Sequence, residues 1–572
     1  MTRIVMAIAL GLTFLGELPA QAPELASLFP CGGQRGTTVD IALEGKNLAD
    51  VTALFVSHPG ITTKRLKGNQ FSVTLAESVP EGDYDLWAVT PKGLTNPRRF
   101  AVGSFPEIRE KEPNDDPKTA QAIEIPVVIN GTLLPGTDRD WYRFDAAAGE
   151  TITIHFRSDS LDGSARPALT LFRPDGKELV HDDGRELEPT LDFLAPAAGS
   201  YLIRVEERAY QKGDHNVYRL AVFRRPRAVA AFPDLLAYGK KTDVTLFGYR
   251  LPGGQPAGPE FPPGLQRIST SIDAPTAGEP DGGGYLPASA APFDGFRYRH
   301  RGIPGVFHLG LTSETVVSAT DERHDSALKA QPITTPVAIA GRFLRPRQAD
   351  WYRVHAKKGQ LFWIEGIGER AGKTMDLEVS ALDAAGSVAV TLNDVALKKG
   401  ETMPFPLVSL DPSGVWKADA DGDYSLVVRD QFGTTRWGVN RTYRLLVTGR
   451  REEVTAVASP LPGGIAAAPG GSIKVPIAVL RRGGHDGPIT IRAENLPPGL
   501  TGGDLVIPVK QSSGVLTLTA AKDAAAWIGR ITLSAETELD RKMQKLPVVA
   551  LGTVRGTTIR RCDGITAAIL AK

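Results

Sequence analysis

The segment INGTLLPGTDRDWYRFDAAAGE, from Ile129 to Glu150, returns as IAGRFLRPRQADWYRVHAKKGQ, from Ile339 to Gln360. Asp140-Trp141-Tyr142-Arg143 lies over Asp350-Trp351-Tyr352-Arg353, and Gly149 over Gly359, at one constant spacing. Internal repetition constrains a fold strongly, because each copy must bury the same face in the same way. A second pair precedes it: FPCGGQRGTTVDIALEGKNL, from Phe29, matches FPDLLAYGKKTDVTLFGYRL, from Phe232. Downstream, Gly199-Ser-Tyr201 matches Gly422-Asp-Tyr424, and Tyr218-Arg-Leu220 matches Tyr443-Arg-Leu445, at a slightly wider spacing that marks an insertion in the second copy. The chain reads as a two-module unit used twice, followed by a module of a third kind from Arg451. The spans are 23–105 and 106–226, then 227–322 and 323–450, then 451–556, with 557–572 as a C-terminal tail.

The pattern inside the repeats sets the fold class. TVDIALEG, TITIHFRS, SYLIRVEE, DYSLVVRD and TYRLLVTG alternate apolar and polar residues, the period that buries one face of a sheet. Gly (60) and Pro (43) are spread along the chain as turn punctuation, as in Pro174-Asp175-Gly176. No long helical stripe occurs. The expectation is all-β, as tandem antiparallel β-sandwiches of immunoglobulin-like and jelly-roll type; 572 residues require several cores.

Charge and targeting narrow the function classes. Lys and Arg (66) balance Asp and Glu (65), so nothing in the bulk electrostatics asks for nucleic acid. Residues 1–22 place Arg3 before an apolar run and end in Ala20-Gln21-Ala22, the layout of a secretory signal, although Pro23 would disfavour cleavage after Ala22. No segment has the ~20 apolar residues of a transmembrane helix. The expectation is a secreted, periplasmic or cell-surface protein. Cys31 and Cys562 could pair in an oxidising compartment or stand as two separate thiols; spacing does not choose between these.

The segments EKEPNDDPKTAQAI, the repeat unit around Trp141, ALTLFRPDGKELVHDDG and APAAGSYLIRVEE together resemble the bacterial pre-peptidase C-terminal domain, a small jelly roll appended to many secreted peptidases, clostridial collagenases among them. The second copy keeps Asp350-Trp351-Tyr352 but lacks the Glu-Pro-Asn run. Residues 23–105 and 227–322 resemble TIG-type immunoglobulin modules. The whole arrangement resembles exported multi-module proteins of planctomycete-type bacteria. The resemblance implies calcium held by Glu110, Glu112, Asn114 and Asp115 with Asp138 and Asp140. The chemistry agrees: calcium takes oxygen ligands, Pro113 biases Glu112 towards an extended conformation, and residues two apart in an extended chain share a face. The competing reading is a solvated acidic linker followed by ordinary turn chemistry. In the second copy Gln348 replaces Asp138, so the site is expected in the first copy alone. DADGD, Asp419 to Asp423, reads as a hairpin turn.

No Gly-x-Ser-x-Gly, His-Glu-x-x-His, P-loop or Cys-x-x-Cys motif occurs. His324-Asp325 could pair a base with an acid, though chance is the simpler account; His155 reads as structural. Tyr201, Tyr218, Tyr424 and Tyr443 are candidates for surface binding of extended polymers, weighed against a role in the core. The function expected is a non-catalytic binding or scaffold protein acting on extracellular protein or polysaccharide, or assisting a separately encoded secreted peptidase. The alternative is a secreted hydrolase whose site uses no short motif.

Overall fold

The computed structural model describes residues 22–135, 137–182, 188–208, 216–280, 294–304, 306–320, 323–394, 410–458, 465–555, 558–562 and 564–571. The expected signal falls almost wholly outside them. Regular structure among the described residues is strand, with a few single 3₁₀ turns, and no helix is long and apolar enough to cross a membrane.

The repeat unit at 106–226 folds as two five-stranded sheets packed face to face. One orders Glu107–Arg109, Val127–Thr132, Val217–Phe223, Thr151–Arg157 and Thr190–Leu194; the other orders Gln121–Ala122, Arg139–Ala146, Gly199–Glu207, Pro167–Phe172 and Glu178–Asp182. The pairings are antiparallel except for the short lead-in strands, Glu107–Arg109 and Gln121–Ala122, which pair parallel. Alternation produces the core directly. In Arg139–Ala146 the even residues Tyr142, Phe144 and Ala146 are buried between the sheets, and in Val217–Phe223 the same holds for Tyr218, Leu220 and Val222.

The second copy repeats this topology strand for strand, with its own core around Tyr352, Leu426 and Tyr443. Each of these sandwiches is preceded by a smaller pair of sheets, around Ile41, Phe71 and Phe100 in the first case and Val244, Leu246 and Leu309 in the second.

Two expected boundaries move. Val316–Ser318 pairs with Val337–Arg342, so it belongs to the second jelly roll and not to the module ending at 322. Within the expected tail, 557–572, the described residues include a strand of the last module. Ile565–Ile569 is a buried strand between Trp527–Leu539 and Ile465–Ala467, because its run of apolar residues completes that module's core.

Cys31 and Cys562 form no disulfide. Cys31 sits in the first module's core, whereas Cys562 lies beside Arg560 and Gly552. Burial pushes the Cys31 thiol up to about 12 and raises Cys562 as well.

The C-terminal module nevertheless reaches back. Buried Arg560 pairs with Asp85 of the first module at 2.7 Å and Asp162 of the second at 2.6 Å, while Arg482 pairs with Glu365 of the fourth at 3.4 Å.

Candidate metal centre

Strand geometry forces a carboxylate into an awkward position. Asp140 occupies the same face as Tyr142 and Phe144, so it is fully buried at the end of the sandwich core. A carboxylate taken out of water needs a compensating charge or hydrogen bonds. Its Oδ2 accepts the Tyr218 hydroxyl at 2.6 Å, and Tyr218 in turn meets the Tyr142 hydroxyl at 2.5 Å. Among the described residues its Oδ1 has no partner.

The lead-in segment delivers the other acids to the same place. Parallel pairing of Glu107–Arg109 carries the chain past Val127–Thr132, and the Glu110 amide continues the ladder to Asn130 O at 3.0 Å. Glu110 Oε1 accepts the Thr132 amide and hydroxyl, both at 2.9 Å. Glu112 Oε2 accepts the Asn114 amide at 3.0 Å, and Asn114 O accepts the Trp141 amide at 3.0 Å, which fixes this segment beside Asp140. Gly131 leaves the room: a Cβ there would run into the Tyr218 ring and the Glu110 carboxylate.

Among the described residues, Glu110, Glu112 and Asp140 form the group of carboxylates whose oxygens lie within 4.8 Å of one another. Asn114 is fully buried, and neither its Oδ1 nor its Nδ2 has a partner. The remaining two expected ligands stand apart from this group. Asp138 spends its oxygens on the amides of Leu134 and Arg139, both at 2.9 Å, and so shapes the turn; Asp115 is exposed beside Asp138.

The electrostatics follow from this crowding. Burial, and then the neighbouring acids, push Asp140 up to about 9; burial also raises Glu110 to about 7 and Asp138 to about 6. A bound cation reverses each of these effects. Carboxylates and a carboxamide with no nitrogen or sulfur donor are a calcium-type set, and the orphaned oxygens of Asp140 and Asn114 fit such an ion.

The second copy fills the equivalent space with its own donors. His324 replaces Asn114, its carbonyl accepting the Trp351 amide at 2.8 Å, and Ala319 takes the place of Glu110 in the ladder to Ala340 O. Gln348 Nε2 donates to Asp350 Oδ1 at 2.8 Å, and His324 Nε2 lies 3.7 Å from the same oxygen. Tyr443 donates to Asp350 Oδ2 at 2.7 Å, as Tyr218 does to Asp140. His324 thus sits buried against an aspartate and a backbone carbonyl in a structural setting.

The tyrosines proposed for polymer binding are not on the surface. Tyr201, Tyr218 and Tyr443 have no exposed area and Tyr424 is 6 % exposed; Tyr201 and Tyr424 close their hairpins by donating to Ala197 O and Ala420 O. Alternation placed them inward. The contributions of Tyr142, Tyr218 and Gly131 to the surroundings of Asp140 had no local motif; the signal was the pairing of Tyr218 with Tyr443 in the repeat.

Comparison with known proteins adds one assignment. The family model of the bacterial pre-peptidase C-terminal domain matches residues 138–207, which places such a domain in the second module. No curated protein matches the chain. Among solved structures, the chain is similar to SGBP-B of the Bacteroides ovatus mixed-linkage glucan utilization locus, in complex with a mixed-linkage heptasaccharide. The identity is 9 %, 75 % of each chain is covered, and the TM-score of 0.14 is too low to speak to fold or ligand.

Proposed function

We propose that this chain is an exported, non-catalytic binding scaffold whose first jelly roll is held in shape by calcium. The observation that carries the metal reading is the convergence of Glu110, Glu112 and Asp140, whose Oδ1 is unpartnered among the described residues, where the second copy instead supplies Gln348 and His324; the buried, unpartnered Asn114 side chain belongs to the same lead-in segment. Asn114 Oδ1 and the three carboxylates would hold the ion, with water completing six to eight ligands. Calcium then ties the lead-in segment to the strand Arg139–Ala146 and fixes how the first module meets the second. The pre-peptidase C-terminal domain supports a binding module, with extracellular protein, polysaccharide or a separately encoded secreted peptidase as the class of partner.

The test is calorimetric melting of the full chain in calcium and in chelator. Calcium at 100 times its Kd stabilises the folded site by about 2.7 kcal/mol, so one transition should rise by several degrees. Superimposed curves in calcium and chelator would overturn the metal reading.

A further inference from the structure

The two copies differ at a second place, the junction where each jelly roll meets its neighbours. The second junction encloses about 190 Å³ between the third, fourth and fifth modules, and its charges are cross-paired. Arg370 meets Glu365 at 2.7 Å, Arg451 meets Glu314 at 3.1 Å, and Arg444 meets Asp234 at 3.4 Å. This is a joint.

The first junction is a cleft of about 690 Å³ among the first three modules. That lies within the roughly 300–1,000 Å³ range of ligand sites, which favour domain interfaces. Arg35, Arg225, Arg227, Arg299 and Glu81 line it; Arg35 is paired with Glu77 at 3.4 Å and Arg227 with Asp192. Arg225 is held rigidly over the Phe105 ring at 4.2 Å, with Glu81 at 3.1 Å and Ser104 Oγ at 2.9 Å. Arg299 is exposed and has no ion pair among the described residues.

His155 lines this cleft at the position that Glu365 holds in the second copy: His155 pairs with Ala221, three residues after Tyr218, and Glu365 with Leu446, three residues after Tyr443. The replacement of an acid by an imidazole removes the countercharge that closes the other junction. Burial, then Arg157 and Arg227, hold the His155 pKa down to about 3, so the ring is neutral and offers one donor and one acceptor. Phe223, Pro226 and Pro304 supply apolar walls.

We infer that this cleft binds carboxylate-bearing sugars of an acidic polysaccharide. The exposed guanidinium of Arg299 can pair with a sugar carboxylate in a cleft whose other lining arginines keep its field positive, a neutral imidazole serves sugar hydroxyls, and the apolar walls suit the C–H face of a pyranose. An acidic peptide is less well served. The adjoining strand Arg227–Phe232 is an edge, but it follows Pro226 and is bulged between Ala228 and Ala230, devices that discourage addition of a peptide strand. The inference rests on the binding-scaffold reading and names its polymer class.

The experiment is titration calorimetry of the full chain in chelator, which removes calcium bridging, with trigalacturonate, a neutral trisaccharide and triglutamate. Trigalacturonate should bind and the other two should not. Arg299→Ala should weaken binding about fivefold and His155→Glu, which restores the second copy's charge, about tenfold or more, with unchanged melting curves. Absence of trigalacturonate binding, equal binding of triglutamate or of the neutral sugar, or unchanged affinity in both variants would overturn the inference. Because the titration excludes calcium, its failure leaves the metal reading untouched, and a calcium-insensitive melting curve leaves the titration valid.

Discussion

The first and second jelly rolls share every strand and differ in how they settle one buried aspartate. Asp140 is crowded by Glu110 and Glu112; Asp350 is answered by Gln348 and His324. The same solution recurs at the junctions, where Glu365 is tied to Arg370 and Arg482 while His155 faces an open basic cleft. The second copy is neutralised internally. The first crowds three carboxylates beside an unpartnered oxygen of Asp140 and leaves Arg299 without an ion pair among the described residues.

The largest effect is expected where the second copy's neutralisation is broken. Arg370→Met leaves Glu365 and Asp411 buried without their main cation, and removing one partner of such a network typically costs ~3–5 kcal/mol. Chemical denaturation should show the loss in the transition of the second copy alone. Chelation of the wild-type chain comes next and should destabilise only the first.

Asp140→Asn sharpens the contrast because its sign depends on calcium. In chelator it relieves repulsion and should raise the melting temperature; in calcium it should lower it and abolish the calcium response. A variant less stable than wild type in both conditions would count against the site.

The pH dependence has a defined direction. Folded-state pKa values of about 7 for Glu110 and about 9 for Asp140 lie above the unfolded carboxylate values near 4. Their contribution to stability is therefore fully present below about pH 4 and is lost as pH rises through 7 to 9. Without calcium, melting of the first copy should fall over that window. With calcium the slope should flatten, so the calcium response grows with pH. A response equal at pH 5.5 and 8.5 would contradict this. The smallest effect concerns the thiols: Cys31 and Cys562 should resist a thiol reagent until the chain unfolds, and reductant should leave melting unchanged.

Much of this was legible in the sequence. Strict alternation in TITIHFRS and SYLIRVEE marked the sheets, and Asp140-Trp141-Tyr142 over its second copy marked the module repeat. Glu110, Glu112, Asn114 and Asp140 entered as a candidate set through the resemblance to the pre-peptidase C-terminal domain, with which the shared face of residues two apart on an extended chain agrees. Asp138 shares the two-residue spacing from Asp140 but shapes the turn through the amides of Leu134 and Arg139 and lies outside the group formed by Glu110, Glu112 and Asp140. The tyrosines stood open between surface and core because alternation identifies two faces without saying which is buried, and the structure places them in the core. The strand Ile565–Ile569 was missed because a short apolar run near a terminus has no periodic signal.

By itself the sequence determined the all-β class, the duplicated pair of modules and the acidic lead-in peculiar to the first copy, since these are properties of local pattern and of self-similarity along the chain. Tertiary structure alone decided that Tyr218 supports Asp140, that Cys31 and Cys562 stand as separate thiols, and that His155 opens a cleft where Glu365 closes one. Each of those outcomes depends on which distant strands become neighbours, and pairing across sheets and modules leaves no periodicity in the residues it joins.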